Sequence, residues 1–392
     1  MRSSSELPAP DARALAHSER LAGLIRDEIE AGGGAIPFAR FMELCLYAPG
    51  LGYYSAGQRK FGAGGDFVTA PELSPLFGRC LAHACAAVLD ATGGDILEFG
   101  AGSGRLALDL LAELDALGSL PGRYLILERS AELRARQQAL LRAQAPALCG
   151  RIAWLDALPA AGFHGVMFGN EVLDAMAVER FRWNGRAAER YWVTVTDGAF
   201  AWERRAVTEP EIAAQLARIA ATCGLAPGYE SEFSSSLAPW LASVAERLQR
   251  GMLLLIDYGY PRCEYYHAQR SSGTLLCHYR QRAHADPLLW PGLQDITAHV
   301  DFTAVAEAAA AAGLEVSGYA TQAHFLIDCG LDRLLQAALP TLDDVAYLRL
   351  VQQAKTLILP GEMGERFQCM SLTRGLSAAV PGFRGQDLRH RL

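Results

Sequence analysis

No apolar run in this chain of 392 residues reaches the length of a membrane-spanning helix, which argues against membrane insertion. Basic charge is also scarce. Lys and Arg number 36 against 43 Asp and Glu, a net charge of −7, so no basic excess advertises a nucleic-acid partner. The nine cysteines include no C-x-x-C pair; the closest in sequence are Cys80 and Cys85, and none sits in a zinc-like cluster. Reduced, buried thiols are therefore expected. His278 and His284 lie near Cys277, but their spacing fits no standard site, and no metal is expected. Met1 to Pro10 lacks the apolar core of a secretory signal. Glu6 and Asp11 interrupt a stretch that a mitochondrial presequence would keep free of acids, so a cytoplasmic, bacterial-type protein is expected. There is no internal repeat. What remains is 51% apolar and 20% charged, the composition of a soluble globular protein, and long enough for one enlarged domain or two.

The most informative stretch runs from Asp95 to Leu106. Ile96, Leu97 and Phe99 suit a buried strand, and Leu106, Leu108, Leu110 and Leu111 continue as the apolar face of a helix. Between them Gly100, Gly102 and Gly104 allow a tight turn and close approach of a ligand to the backbone. The following helix offers free N–H groups and a positive dipole end. A dinucleotide fingerprint needs G-x-G-x-x-G, and Arg105 stands where its third glycine belongs, which disfavours an NAD-dependent enzyme. Glu128 closes a second strand, Arg123 to Glu128, and lies 24 residues past Gly104, where an α/β cofactor fold places a carboxylate for ribose hydroxyls. Asp156, after a third short strand, could reach an adenine amino group or be an ordinary turn residue. A fourth strand, 165–169, runs into Asn170, Glu171 and Asp174 at the carboxyl end of a central strand, the side on which open α/β sheets bind ligands.

The rest of the chain divides around this core. Residues 1–17 read as a loose N-terminus, and 18–90 as helices plus a glycine-rich loop. Ser18 is expected to cap the first helix and Pro37 to open a second through Tyr47. The loop from Phe61 to Pro75 reads either as structural or as a lid, with Asp66, Thr69 and Glu72 supplying polar contacts. Residues 91–177 form the cofactor-binding core. Residues 178–250 read as an inserted antiparallel hairpin followed by two helices, with turns at Asn184-Gly185 and Asp197-Gly198. The segment 251–374 returns to core strands, with 261–301 as a long substrate-binding stretch and two helices within 323–357. Residues 375–392 read as a loose tail.

Several of these stretches together resemble one family. They are 65–72 (Gly-Asp-Phe-Val-Thr-Ala-Pro-Glu), 98–104 (Glu-Phe-Gly-Ala-Gly-Ser-Gly), 170–178 (Asn-Glu-Val-Leu-Asp-Ala-Met-Ala-Val), Asp257-Tyr258-Gly259, and 295–302 (Asp-Ile-Thr-Ala-His-Val-Asp-Phe). In this order they resemble the MidA family of class I S-adenosylmethionine (SAM) methyltransferases, which includes the mitochondrial arginine methyltransferase of respiratory complex I assembly. The resemblance implies an α/β fold: a Rossmann-like, seven-stranded class I methyltransferase sheet with N-terminal helices and inserted helical and β-hairpin substrate elements. It implies SAM as cofactor and a protein substrate, a complex I core subunit or similar, methylated on arginine. Two departures are visible: Ala101 where the family often has Pro, and Val172 and Leu173 where it has aromatics.

On this reading Glu98, Gly100, Ala101, Gly102 and Gly104 hold the methionine portion and Glu128 the ribose. Asp66, Thr69 and Glu72 close the site. Glu171, helped by Asp174, orients and neutralises a guanidinium, which carboxylates match bidentately, and Asn170 positions cofactor or substrate. Methyl transfer needs an in-line approach, so catalysis rests on holding geometry and requires no metal. Two alternatives stand beside it: a SAM-dependent methyltransferase with another acceptor, and a non-catalytic assembly chaperone that retains the fold.

Overall fold

The computed structural model describes residues 7–56, 69–377 and 379–392. Helix α1 (Ala12–Ala31) starts earlier than expected: the Asp11 side chain accepts the Ala14 amide at 2.8 Å, and Ser18 lies buried inside the helix. The alanine-rich run 12–17 has high helix propensity, which carries the helix into the stretch read as loose. A three-residue strand, β1 (Ala35–Pro37), follows, and Pro37 then opens α2 (Phe38–Tyr47). After the short α3 (Ala70–Leu73), the Ser74 hydroxyl accepts the Leu76 amide and starts α4 (Pro75–Thr92). The βα alternation is β2 (Asp95–Phe99), α5 (Arg105–Leu117), β3 (Tyr124–Leu127), α6 (Ala131–Gln144), β4 (Ile152–Leu155) and β5 (Phe163–Asn170).

The insertion is more extensive than a hairpin and two helices. It contains β6 (Glu179–Trp183), β7 (Ala188–Thr196), β8 (Ala199–Ala206), α7 (Pro210–Cys223), β9 (Glu230–Phe233) and α8 (Leu237–Arg247). β1 joins its sheet, pairing antiparallel with β7 through Ala35–Thr194 to Pro37–Trp192, so the N-terminal helices pack on the insertion. β10 (Leu248–Tyr260) re-enters the core. The stretch 261–301 holds α9 (Arg262–Tyr265) and a small sheet of β11 (Leu276–Tyr279), β12 (Arg282–His284) and β13 (Asp295–Thr297). β14 (Val300–Asp301) then pairs with the end of β10. The chain closes with α10 (Phe302–Ala311), β15 (Glu315–Thr321), α11 (Gln322–Asp328), α12 (Leu331–Ala338), α13 (Asp344–Ile358) and β16 (Phe367–Arg374). The two helices expected within 323–357 are three, with Gly330, at φ 93°, between α11 and α12.

The expected seven strands form one sheet in the order β4-β3-β2-β5-β10-β16-β15, and only β16 runs against its neighbours. Alternation along each strand feeds two cores. Ile96, Val166, Phe168, Leu254 and Ile256 pack against α4 and α5. Leu97, Phe99, Met167, Leu253 and Leu255 pack against α8 and α10. With both faces covered, the strands are nearly all apolar, and their carboxyl ends are left as the place for polar groups.

The described residues of 375–392 are not loose. Val380 and Phe383 are buried in the first core, the Asp328 carboxylate accepts the Gly382 and Arg384 amides, and the Leu388 amide donates to the Tyr319 carbonyl. The Phe383 ring fills the space a Cβ on Gly318 would need. Two apolar anchors in a polar tail make no periodicity, so the sequence pattern hid them. All nine cysteines are free, six of them buried.

Candidate active site

A cavity of about 1000 Å³ opens at the carboxyl ends of β2, β3, β5 and β10, at the upper limit of pocket sizes that enclose a drug-sized ligand. Its floor is the glycine turn. Gly100 and Gly102 line it with φ of 64° and 53°, the left-handed region that a side chain resists, and Ala101 lines it between them. Gly104 is turned away. It has φ of 86° and faces α6, where an added Cβ would meet Gln137 at 3.3 Å, so it serves helix packing rather than the cavity.

The expected carboxylates come to the same space. Glu98 lies on the buried strand and accepts the Tyr124 hydroxyl at 2.7 Å, and burial pushes its pKa up to about 8. Glu128 accepts the Ser130 amide at 2.9 Å and the Gln137 side chain at 3.1 Å, and burial raises its pKa as well. Gln137 also donates to the Gly102 carbonyl at 2.9 Å and accepts the Trp154 indole at 2.8 Å. One side chain of α6 therefore locks the glycine turn to Glu128. Nothing in the sequence singled it out. Thr69 and Glu72 line the cavity, and Glu72 accepts the Ser103 hydroxyl of the glycine turn. Asp66 lies outside the described residues. Asp156 is a correction: its side chain is 88% exposed, pairs with Arg134 at 2.7 Å and does not line the cavity.

Opposite the turn stands an acidic loop. Glu171 follows β5 with φ of 53°, an uncommon conformation for a non-glycine residue. Its carboxylate accepts the Asn170 amide side chain at 3.1 Å. Burial, then the nearby Asp174, pushes its pKa up to about 8. Asp174 accepts the Tyr258 hydroxyl, and burial raises its pKa to about 6. The remaining oxygens, Asn170 Oδ1 and Asp174 Oδ1, are buried with no partner among the described residues. Buried polar atoms that lack a partner are expected to meet a ligand or water. Tyr47 and Tyr54 stack with ring centroids 5.5 Å apart and donate to the Ala175 carbonyl at 2.9 Å and to Asp295 at 3.0 Å. Among the described residues lining the cavity, nine carboxylates face three guanidinium groups, so the space favours a cation. Among the described residues, no group of three His, Cys, Asp or Glu is arranged to hold a metal ion.

Residues 80–320 match the sequence model of a family described as "Putative S-adenosyl-L-methionine-dependent methyltransferase". The chain belongs to this family. It is similar to a crystallised superfamily member from Burkholderia thailandensis bound to S-adenosyl-homocysteine, at 47% identity and a TM-score of 0.94, covering 99% of this chain and 100% of that one. Among curated proteins it is similar to the mitochondrial protein arginine methyltransferase NDUFAF7 homolog of Caenorhabditis elegans, 27% identical over 86% of this chain and 83% of the relative. The Danio rerio NDUFAF7 protein is 28% identical, with the same coverage. The chain is therefore a SAM-dependent methyltransferase of the MidA type, and SAM is its cofactor. The residues present fit that cofactor. Two left-handed glycines let it approach the turn, and Glu98 and Glu128 offer acceptors to its ammonium and hydroxyl groups.

Proposed function

We propose that this methyltransferase modifies an arginine side chain of a protein, a respiratory complex I subunit or a similar protein, in the cytoplasm. The observation that carries the reading is the acidic loop: Glu171 and Asp174 face the cavity beside Asn170 Oδ1 and Asp174 Oδ1, which have no partner among the described residues. Such an array suits a planar cation with several N–H donors, which fits guanidinium better than a neutral acceptor. The names of the curated relatives point the same way. Of the two aromatic-to-aliphatic departures, Val172 reaches the cavity, whereas Leu173 is buried in the core beneath the loop, which narrows their bearing on the acceptor to one position. No helix among the described residues is long and apolar enough to cross a membrane.

Bound SAM supplies an electrophilic methyl group. The protein's part is to hold the two partners. Gly100, Ala101, Gly102 and Glu98 seat the methionine portion, Glu128 takes the ribose, and Thr69 and Glu72 close the site. Glu171 and Asp174 orient the guanidinium and compensate its charge, and Asn170 fixes the approach. Acid hydrolysis of protein labelled with tritiated methyl should release methylarginine; label recovered only as methyl-lysine, a methyl ester or a small molecule would refute the arginine reading.

A pH dependence follows from the raised pKa of Glu171. Below about 8 the empty site holds Glu171 protonated, and above it the carboxylate is available to a cation. The specificity constant kcat/KM for the acceptor should therefore rise with pH through about 8 and then level off. A bound guanidinium favours the ionised acid, so the same limb in kcat should lie at lower pH. Coincident limbs in kcat and kcat/KM would argue against contact between Glu171 and the acceptor.

A further inference from the structure

Asp257, near the carboxyl end of β10, is almost fully buried and no role in the reaction follows from its sequence position. Its Oδ2 accepts three consecutive backbone amides: Val172 at 3.1 Å, Leu173 at 2.8 Å and Asp174 at 3.2 Å. Its Oδ1 accepts the amide of Tyr258 at 2.9 Å. Successive amides that converge on one point form a nest, a concavity that ordinarily captures a free anion. Here the anion is built in. The nest begins directly after Glu171, whose left-handed φ of 53° turns the chain so that the next three N–H groups point the same way. The Glu171 amide itself donates to the Ile256 carbonyl at 2.9 Å, one residue from the anchor.

A second set of contacts clamps the loop from the other side. Tyr258 donates its hydroxyl to Asp174, and the Ala298 amide donates to the Asp174 carbonyl at 3.2 Å. The latter contact depends on β14 lying against β10 at Gly259, where an added Cβ would stand 2.2 Å from the Val300 carbonyl oxygen. The motif Asp257-Tyr258-Gly259 thus has one task per residue. Asp257 holds the loop backbone, Tyr258 holds the Asp174 side chain, and Gly259 admits the strand that closes over them.

We propose that Asp257 is a positioning residue for methyl transfer, its carboxylate filling the amide nest beneath Glu171 and Asp174 and setting the geometry in which those acids meet the acceptor. The proposal rests on the reading that this loop faces the acceptor. A neutral side chain could cap some of these amides. A carboxylate also adds charge beside two others, and burial and that repulsion raise its own pKa while the four amides favour its ionised form. Asp174 on the same loop and Asp295 on β13 raise the pKa of Glu171 further, and Asp174 and Glu171 in turn raise that of Asp257. Arg129, Arg366, His278, His299, Glu72, Tyr47 and Tyr54 are further titratable residues of the cavity lining.

The test uses the full chain and two substitutions, read by tritiated-methyl transfer to lysate protein and by SAM titration. Asp257→Ala empties the nest; kcat should fall about a hundredfold while the Kd for SAM stays within about threefold, since the glycine turn belongs to another strand. Asp257→Asn leaves one oxygen for the three amides but removes the charge. It should recover at least tenfold of the activity lost in the alanine variant at an unchanged Kd for SAM, because one oxygen still holds the amides. Wild-type kcat in Asp257→Ala, or a loss in Asp257→Asn as deep as in Asp257→Ala, would overturn the proposal. If the alanine variant does not fold, hydrogen exchange of the wild-type protein decides beside the asparagine variant. Amides 172–174 should be as protected as those of β5, and exchange at the rate of exposed loops would equally overturn it. Full activity in Glu171→Gln together with loss in Asp257→Ala would remove Glu171 from the chemistry and leave the anchor standing. Loss in Glu171→Gln with full activity in Asp257→Ala would do the reverse.

Discussion

Glu171→Gln should lower methyl transfer by roughly two to three orders of magnitude and leave SAM affinity unchanged. The substitution is close to isosteric. The glutamine oxygen can still accept the Asn170 side chain at the 3.1 Å contact, and the left-handed backbone at φ 53° treats the two side chains alike. What disappears is the charge. A guanidinium drawn into this cavity loses water and needs a carboxylate in return, and an amide offers one acceptor and two donors that repel the cation. The loss should therefore appear in kcat and in acceptor KM together, because the cation is held throughout the reaction. SAM affinity is the control, since the glycine turn and Glu128 are untouched. Turnover equal to wild type would remove Glu171 from the chemistry and favour a neutral acceptor.

Much of this arrangement could be read from the residues, and the unread parts have a common physical cause. The βα core was legible because buried parallel strands are continuous apolar runs with glycine turns between them, as at Ile96 to Gly104. Glu98, Glu128, Asn170, Glu171 and Asp174 were legible because each is a polar residue on or at the exit of such a run. What escaped was whatever depends on partners distant in the chain. β1 has three residues and ends in Pro37, and it exists as a strand because β7 offers an edge. β9, Glu-Ser-Glu-Phe, carries no strand pattern of its own and is fixed by β6. Asp257 reads as a polar strand end; only the fold brings the amides of 172–174 to it. Gln137 is one glutamine on a polar helix until Gly104 lets it reach Gly102 and Glu128. Asp156 failed in the opposite direction, since a turn acid with a helix arginine in reach is satisfied at the surface.

Gly102→Val should weaken SAM binding by about a hundredfold, close to 3 kcal/mol, in a protein that still folds. Two effects combine. A β-branched residue at φ 53° is strained against the preceding and following peptide groups, a penalty of about 1–2 kcal/mol that the turn relieves only by moving. Moving it shifts the Gly102 carbonyl, which holds Gln137 at 2.9 Å, and Gln137 in turn holds Glu128 at 3.1 Å. A change at Gly102 thus reaches Glu128 through one side chain. The fold should survive because the strand before the turn and the helix after it are packed by Ile96, Phe99, Leu106 and Leu110, not by the turn. Gly104→Ala is the informative companion. Its φ of 86° is as strained, but it faces Gln137 rather than the cavity, so it should affect stability more than affinity. Calorimetric titration with SAM and a thermal melt of each variant separate the two glycines. Equal affinity losses would mean that the turn responds as one unit, whereas an unaltered Kd in Gly102→Val would place the cofactor elsewhere in the cavity.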